Sequence, residues 1–421
     1  MLKKNYKKIN KCRCCGSKNL IPIISLGSQV LTGVFPRNKN LNLTKGPLSL
    51  VRCNSQDGCK LVQLQHSYNL NELYGKNYGY RSGLNKSMVT HLHGNINLVL
   101  NKYFKHNKKK NALVVLDIGS NDATTLKAYP KKFKLIGYDP TAKKFAKYYP
   151  KHIDYVSNFF SFKSFKRRFS NIKADIITSF SMFYDLEEPL KFMNEINQSL
   201  SDEGIWVFEQ SYLPFMIKTS SFDTICHEHL EYYTLYQVSY MAKKTNLKIL
   251  DVYFNDVNGG SFLVFASKNN SKYKINSRKI NSIINKEKKD GVISGSIWKK
   301  FNSDVINFKK DMTKFFDKIS EKNLTVMGLG ASTKGNVLLQ YLNINEKNIK
   351  AIGEVNSDKF GSYTPGTKIK IINEKKVFSS NPDYIFILPW HFKKFFLKLK
   401  TLQKFNLIFP LPKFTLVKKK I

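Results

Sequence analysis

Short apolar runs recur along the middle of this chain, separated by stretches whose polar residues suit amphipathic helices. The runs are Ala112-Leu113-Val114-Val115-Leu116-Asp117-Ile118, Leu135-Ile136-Gly137-Tyr138, Ala174-Asp175-Ile176-Ile177-Thr178-Ser179 and Gly204-Ile205-Trp206-Val207-Phe208-Glu209. A run that is apolar on both alternating positions fits a strand buried on both faces. Strands alternating with helices predict a doubly wound parallel sheet of the α/β class. A second set follows near the C-terminus, at Leu324-Thr325-Val326-Met327-Gly328-Leu329-Gly330-Ala331-Ser332, Ile349-Lys350-Ala351-Ile352-Gly353 and Tyr384-Ile385-Phe386-Ile387-Leu388. It predicts a second, Rossmann-like α/β domain.

Between the two sets, Trp298, Phe301, Val305, Phe308, Met312, Phe315 and Ile319 step by three and four. That stripe predicts a long helix laid on a core. Residues 70–105 are expected to be helical, and His106 to Asn111 to be a polar linker. The resulting division is a lobe at 1–68, a cofactor domain with a helical lead-in at 69–270, and a C-terminal α/β domain at 271–421.

Charge changes this picture less than its size suggests. The 421 residues carry 70 Lys and Arg against 30 Asp and Glu, a net charge of +40. The lysines are dispersed and accompany abundant Asn, Ile, Phe and Tyr, all with A/T-rich codons. No basic patch with interleaved aromatics stands out, so a nucleic-acid partner is not expected. A basic surface still attracts a phosphate-bearing substrate. No apolar stretch reaches the ~20 residues of a membrane span. The Met1 to Lys8 segment has no apolar core behind it, as a secretory signal would. A cytoplasmic monomer is expected.

Five of the six cysteines precede residue 60. Cys12 and Cys15 form a C-x2-C pair followed by Gly16, and Cys53 and Cys59 form a looser second pair. Clustered cysteines in a chain without a secretory signal point to metal rather than disulfides. Four thiolates leave no open coordination position, which predicts a structural zinc.

Asp117-Ile118-Gly119-Ser120-Asn121-Asp122 follows a buried strand. A glycine there lets backbone approach a ligand closely. Gly137-Tyr138-Asp139-Pro140 then sets an acid at the end of the next strand, where a carboxylate can accept both ribose hydroxyls of an adenosine. The loop lacks the Gly-x-Gly-x-x-Gly pattern, with Ala123 where a glycine would stand, and has no lysine for a pyrophosphate. A cofactor with a ribose but no phosphate fits, namely S-adenosylmethionine, held through Asp117, Gly119, Asn121, Asp122, Asp139 and Pro140.

Thr224-Ile225-Cys226-His227-Glu228-His229-Leu230-Glu231-Tyr232-Tyr233 concentrates imidazoles, carboxylates and phenols. If extended, this segment would place His227 and His229 on one side and Glu228 on the other. The spacing is not the metal-binding His-Glu-x-x-His. Tyr232 and Tyr233 read as packing residues. In the C-terminal set, the Gly328–Gly335 turn can hold a diphosphate on backbone amides at a helix start, with Lys334 adding charge. His391, after Trp390, is a candidate for the cleft between domains.

Taken together, these motifs resemble the three-domain sugar C-methyltransferases that act on nucleotide-linked 4-keto-deoxyhexoses, over nearly the whole chain. The cysteine pairs with Leu61-Val62-Gln63-Leu64 look like that family's zinc lobe, and Tyr78-Gly79-Tyr80-Arg81-Ser82-Gly83 its substrate-facing segment. Asp117 to Asp122 resembles its S-adenosylmethionine loop, and His227-Glu228-His229 its catalytic segment. Gly328-Leu329-Gly330-Ala331-Ser332-Thr333-Lys334-Gly335-Asn336, Tyr363 to Thr367 and Pro389-Trp390-His391-Phe392 resemble its C-terminal pattern. Members that methylate C3 commonly carry a tyrosine where this chain has Cys226, and often a histidine near Asp185. The resemblance implies His229 as the base, with His227, Glu228, Tyr80 and Asp185 completing the catalytic set. It implies that Tyr78, Arg81, Ser332, Thr333, Lys334, Asn336 and His391 bind a nucleotide-sugar substrate.

The implied chemistry is simple to state. A carbon beside a ketone becomes a nucleophile once a base takes its proton and a donor steadies the enolate oxygen. The carbanion then attacks a sulfonium methyl in line, which needs positioning above all. Methylation of a sugar hydroxyl or amine on the same scaffold is the enzyme alternative, and an RNA methyltransferase the alternative from another class.

Overall fold

The computed structural model describes residues 5–74, 80–105, 112–170 and 172–419. Tyr78 and the His106–Asn111 linker lie outside the described residues.

The N-terminal lobe is built from short antiparallel strands. β1 (Tyr6–Lys8), β2 (Leu20–Val30), β3 (Lys45–Cys53), β4 (Val62–Leu64) and β5 (His66–Tyr68) follow one another. β1 pairs only with β5, whereas β2, β3 and β4 form a meander. β2 and β3 slip register twice, between Pro22 and Ile24 and between Ser25 and Ser28. Such irregularity bends a strand locally.

The middle of the chain supplies β6 (Val114–Ile118), β7 (Lys134–Tyr138), β8 (Ile153–Val156), β9 (Ala174–Phe180) and β10 (Leu200–Ser211). After the two-residue β11 (Glu231–Tyr232) come β12 (Leu247–Asn255) and β13 (Ser261–Lys268). Seven of these make one sheet in the order β12-β13-β10-β9-β6-β7-β8. β13 runs antiparallel to both neighbours, and β6 to β10 are parallel. The chain therefore reverses its direction of winding between β6 and β9, where an open α/β sheet binds its ligand beyond the strand carboxyl ends.

The missing member, β11, belongs to the lobe. It pairs with β4, so the lobe sheet reads β11-β4-β3-β2. The C-terminal sheet holds β14 (Val326–Leu329), β15 (Ile352–Glu354), β16 (Ile371–Asn373), β17 (Tyr384–Ile387), β18 (Asn406–Phe409) and β19 (Thr415–Val417), in the order β16-β15-β14-β17-β18-β19. β19 alone is antiparallel in it.

The apolar stripe becomes the Trp298–Glu321 helix, which buries Trp298, Phe301, Val305, Met312, Phe316 and Ile319. Its first half packs with Ile23, Leu31 and Val34 of the lobe and Val337 and Leu338 of the C-terminal domain in a single core. Cys12, Cys53, Cys59 and Leu61 share another core with Tyr233, Val238 and Met241. The three parts are thus joined by buried apolar surface.

One stretch differs from the expectation of a helical 70–105. The chain is helical at Leu70–Leu73 and Lys86–Val99, but Tyr80 to Asn85 is not α-helical. The reason is a docking contact: the Ser82 amide donates to Asn121 Oδ1 at 3.0 Å and the Gly83 amide to Asp122 Oδ2 at 3.0 Å. An α-helix leaves no free amides beyond its first turn, so these bonds need a break in the helix, and Ser82–Leu84 forms a separate 3-10 turn.

Candidate active site

The four cysteines of the two pairs meet. Cys12, Cys15, Cys53 and Cys59 bring their sulfurs within 4.8 Å of one another. Cys12 and Cys59 are 3.5 Å apart, as are Cys15 and Cys53. A tetrahedral zinc with Zn–S near ~2.3 Å needs sulfurs ~3.8 Å apart, so the group fits. Cys14 is buried beside the knot but outside this set.

The cofactor loop leaves β6 at Ile118. Gly119 adopts φ +80°, and a Cβ there would lie 3.0 Å from Met182 Cγ. Both backbone conformation and space therefore require glycine. Asp117 is buried and its Oδ1 accepts from Thr178 Oγ1 at 2.6 Å, which braces β6 against β9. Burial raises its carboxyl to about 7. Asp139, at the end of β7, accepts from the Asn121 amide at 2.9 Å and from the Thr141 amide at 2.7 Å and hydroxyl at 2.5 Å. A carboxylate offers about four lone-pair positions, so one is left for a ribose hydroxyl. Pro140 follows, and its carbonyl accepts from Ser157 Oγ. Arg81 lies 3.8 Å from Asp122 Oδ2 and stacks 4.2 Å over Tyr148. Tyr80 is 48% exposed above this loop.

The His227-Glu228-His229 segment is a turn, closed by the His229 amide donating to Cys226 O at 3.2 Å. It is not extended, so the two imidazoles part company. His227 is fully buried, accepts at Nδ1 from the Thr32 amide at 3.4 Å, and stands edge-on to Tyr68. Burial holds it down to about 3. His229 turns the other way, over Tyr184 at 4.4 Å between ring centres. Its Nδ1 meets the Thr224 carbonyl at 2.9 Å. Only an N–H can donate to a carbonyl, so Nε2 carries the lone pair. His229 also lines a small pocket, together with Tyr184, Ser211, Thr224, Glu231 and Tyr232 among others.

Glu228 sits where the three parts meet. A Cβ on Gly33 would fall 1.7 Å from Glu228 Oε1 and 3.4 Å from Thr333 Oγ1. Burial raises its carboxyl. Asp185 accepts from Tyr74 Oη at 2.9 Å, while its Oδ1 is buried without a hydrogen bond. Burial, opposed by the Tyr74 bond and helped by nearby Glu228, pushes it well above the carboxylate range.

The C-terminal domain closes the cleft. β14 runs into Gly330 at φ +81°, and Ser332 caps the Thr333–Tyr341 helix by accepting from the Gly335 amide at 3.1 Å. Lys334 donates to Asn258 O, and burial lowers it despite nearby Asp223. Trp390 donates to Asp223 Oδ2 at 2.7 Å. His391 stands edge-on to Trp390 and is held down to about 3, by burial first and Lys334 second. Asn336 is fully buried and donates to Thr32 O at 2.7 Å, joining this domain to the lobe.

Three domain families match the chain in succession: a zinc binding domain at residues 12–74, a methyltransferase domain at 88–252 and a C-methyltransferase C-terminal domain at 256–412. The C-methyltransferase NovU of Streptomyces niveus is 23% identical over 397 residues, covering 91% of this chain and 90% of its own length. In sequence and in domain order the chain matches the three-domain, zinc-containing C-methyltransferase family.

Among solved structures, LepI in complex with S-adenosylmethionine is 13% identical, with a TM-score of 0.33 over 44% of this chain; the match spans 54% of LepI. A methyltransferase from Clostridium acetobutylicum is 13% identical, with a TM-score of 0.31 over 41% of this chain and 89% of its own. This C-methyltransferase uses S-adenosylmethionine and carries a zinc-binding lobe. No helix among the described residues is long and apolar enough to cross a membrane.

Sequence reading missed Thr32 and Gly33, which meet the His227–His229 turn from about 195 positions away, and Asp223, whose partner Trp390 lies 167 positions on. Single small or acidic residues carry no local signal of such distant partners. It also missed a buried polar group at the end of β10, where Glu209 meets His91 Nε2 at 2.7 Å and accepts from Asn255 Nδ2 at 2.7 Å. His91, on the Lys86–Val99 helix, and Asn255, at the end of β12, could be joined to Glu209 only by the fold.

If the remaining lone pair of Asp139 takes a ribose hydroxyl, Asp139→Ala should weaken S-adenosylmethionine binding by about 1–3 kcal/mol, the range for a hydrogen bond to a charged group. Calorimetry on the variant checks this, and an unchanged affinity would place the ribose elsewhere.

Proposed function

We propose that this enzyme methylates carbon in a nucleotide-linked keto-deoxysugar, by deprotonation beside the ketone. The observation that carries the reading is His229: a neutral imidazole whose Nδ1 proton is held by the Thr224 carbonyl, which leaves the lone pair on Nε2, in the lining of a small pocket shared with Tyr184 and Ser211. Nε2 takes the proton on the carbon beside the ketone, and that C–H electron pair moves into the enolate. Tyr80 and the protonated Asp185 donate to the enolate oxygen. Glu228 binds a sugar hydroxyl at the junction of the three parts. S-adenosylmethionine held at Gly119, Asn121 and Asp139 would supply an electrophilic methyl, so that the enolate carbon would gain the C–C bond and the sulfur would keep the electrons of the broken S–C bond. Arg81, Ser332, Thr333, Lys334 and His391 hold the nucleotide diphosphate, and the net charge of +40 draws such an anion in. Asn336 supports that wall from behind. Tyr78 is assigned to the substrate by resemblance alone.

The deciding experiment offers a panel of nucleotide 4-keto-sugars with labelled S-adenosylmethionine and locates the methyl by NMR. A new methyl on carbon supports the reading. Label on oxygen or nitrogen, or transfer only to RNA, overturns it.

The pH profile should carry a signature of burial. An ordinary histidine titrates near 6.5, but burial lowers His229 to about 4, with the Thr224 bond opposing and Lys334 assisting. The neutral form is the base, so protonation stops the reaction. Activity should persist as pH falls through 6.5 and fail only on approach to about 4. An acid limb of kcat/KM centred near 6.5 would contradict this.

A further inference from the structure

The zinc lobe does more than sit beside the catalytic turn; it carries it. β11 begins two residues after His229 and is the edge strand of the lobe sheet. Glu231 pairs with Gln63 and Tyr232 with Val62, and the Leu64 amide donates to Leu230 O at 2.8 Å. The backbone that leaves His229 is thus zipped directly onto β4.

The side chain of Gln63 faces the cysteines. Its Nε2 donates to Cys12 Sγ at 3.1 Å and its Oε1 accepts from the Arg13 amide at 3.0 Å. Gln63 is fully buried, so both ends of the amide are spent on the first cysteine knuckle. Arg13 stands between the two ligands of that knuckle, with a side chain only 3% exposed. Its Nη1 donates to Leu64 O at 2.6 Å and its Nη2 to Ser67 Oγ at 2.8 Å. Its Nε donates to Glu187 Oε2 at 3.1 Å and lies 3.9 Å from Glu231 Oε1. Glu231 is fully buried, and neither of its oxygens makes a hydrogen bond among the described residues. One arginine therefore touches β4, β11 and the loop that carries Asp185.

We propose that Gln63 and Arg13 are positioning residues that tie the place of His229 to the four-cysteine knot. This goes beyond the assignment of His229 as base and rests on it for its effect on turnover. The physical basis is twofold. A thiolate is a stronger acceptor than a thiol, so a knot whose sulfurs are ionised by a metal grips the Gln63 amide harder. The Gln63 backbone then fixes β11 through ladder bonds, and a catalytic base displaced by 1 Å can lose about 100-fold in rate.

The test uses full-length, zinc-loaded protein with Gln63→Leu and Arg13→Lys. The leucine keeps the bulk and the β4 ladder but cannot donate to Cys12. The lysine keeps the charge but cannot serve four partners. The ring-proton resonance of His229, identified by its absence in His229→Ala, is recorded without substrate, together with zinc content, S-adenosylmethionine affinity and kcat. Both variants should keep their zinc and their cofactor affinity, shift the His229 resonance and lose at least about 10-fold in kcat, the scale of a sub-ångström displacement. An unchanged resonance overturns the proposal, as does parallel loss of zinc, cofactor affinity and resonance, which marks plain unfolding. If Gln63→Leu does not fold, Arg13→Lys decides on the same readings. Failure of the base assignment is separate: it shows as undiminished solvent exchange in His229→Ala, whatever the resonance does in the other variants.

Discussion

His229→Ala should cut turnover by about 10²–10⁴-fold, the usual contribution of a positioned general base. The size follows from its chemistry. Its Nδ1 proton is committed to the Thr224 carbonyl, so the free nitrogen is Nε2, and the ring is held against Tyr184. Alanine removes the imidazole, and His227 is not placed to replace it, because it faces Thr32 and Tyr68. Cofactor affinity should stay, since Gly119 and Asp139 follow β6 and β7, the Gly119 amide donates to Tyr138 O, and Asp139 is braced by the Asn121 and Thr141 amides. Exchange of solvent deuterium into the carbon beside the ketone should fall together with methylation. His227→Ala should leave exchange closer to wild type, lowering it only as far as the turn loosens. Near-wild-type exchange in both variants would remove the proton-abstraction step from this segment.

That contrast between two histidines of one motif shows where the sequence was readable. The cofactor sheet was legible because its parallel strands are buried on both faces, which leaves uninterrupted apolar runs such as Val114–Ile118. The glycine turn was legible because only glycine is easy at φ +80° beside Met182. The four cysteines were legible because spacing alone limits what they can do. The lobe strands were not: β2 carries Pro22 and Gly27 and slips register twice, so it lacks a clean two-residue period. Nor was the direction of His227 and His229. It is set by a turn whose partner, Thr32, lies 195 positions from His227, and local pattern does not encode such contacts. The break at Tyr80–Asn85 belongs to the same class, since its bonds run to Asn121 and Asp122.

Loss of the cysteine knot should have the second large effect, and it should separate cofactor binding from catalysis. Structural zinc in small domains contributes about 10–16 kcal/mol of binding free energy to folding, against a typical total domain stability of about 5–15 kcal/mol. The lobe has no core of its own: β1, β4 and β5 are three residues each, its sheet is completed only by β11, and the apolar side chains of β2 and β3 pack in a core shared with the Trp298–Glu321 helix. Cys12→Ser with Cys15→Ser removes two of four thiolates, and serine is a poor zinc ligand. The double variant should purify without zinc, melt at a markedly lower temperature and lose methyl transfer. The reach of the damage follows from packing. Cys53, Cys59 and Leu61 share a core with Tyr233, Val238 and Met241, so loosening the knot frees the chain on the carboxyl side of the His227–His229 turn. The seven-stranded sheet has its own apolar layer, in which Ile96 and Val99 cover Val115, Ile205, Val207 and Phe265 without any lobe residue. S-adenosylmethionine binding should therefore outlast the zinc. Metal analysis, a thermal melt and calorimetry with the cofactor read the three consequences separately. Full retention of zinc in the double variant would show that other ligands hold the metal. A melt unchanged from wild type after zinc is lost would show that the lobe stands on its hydrophobic packing alone.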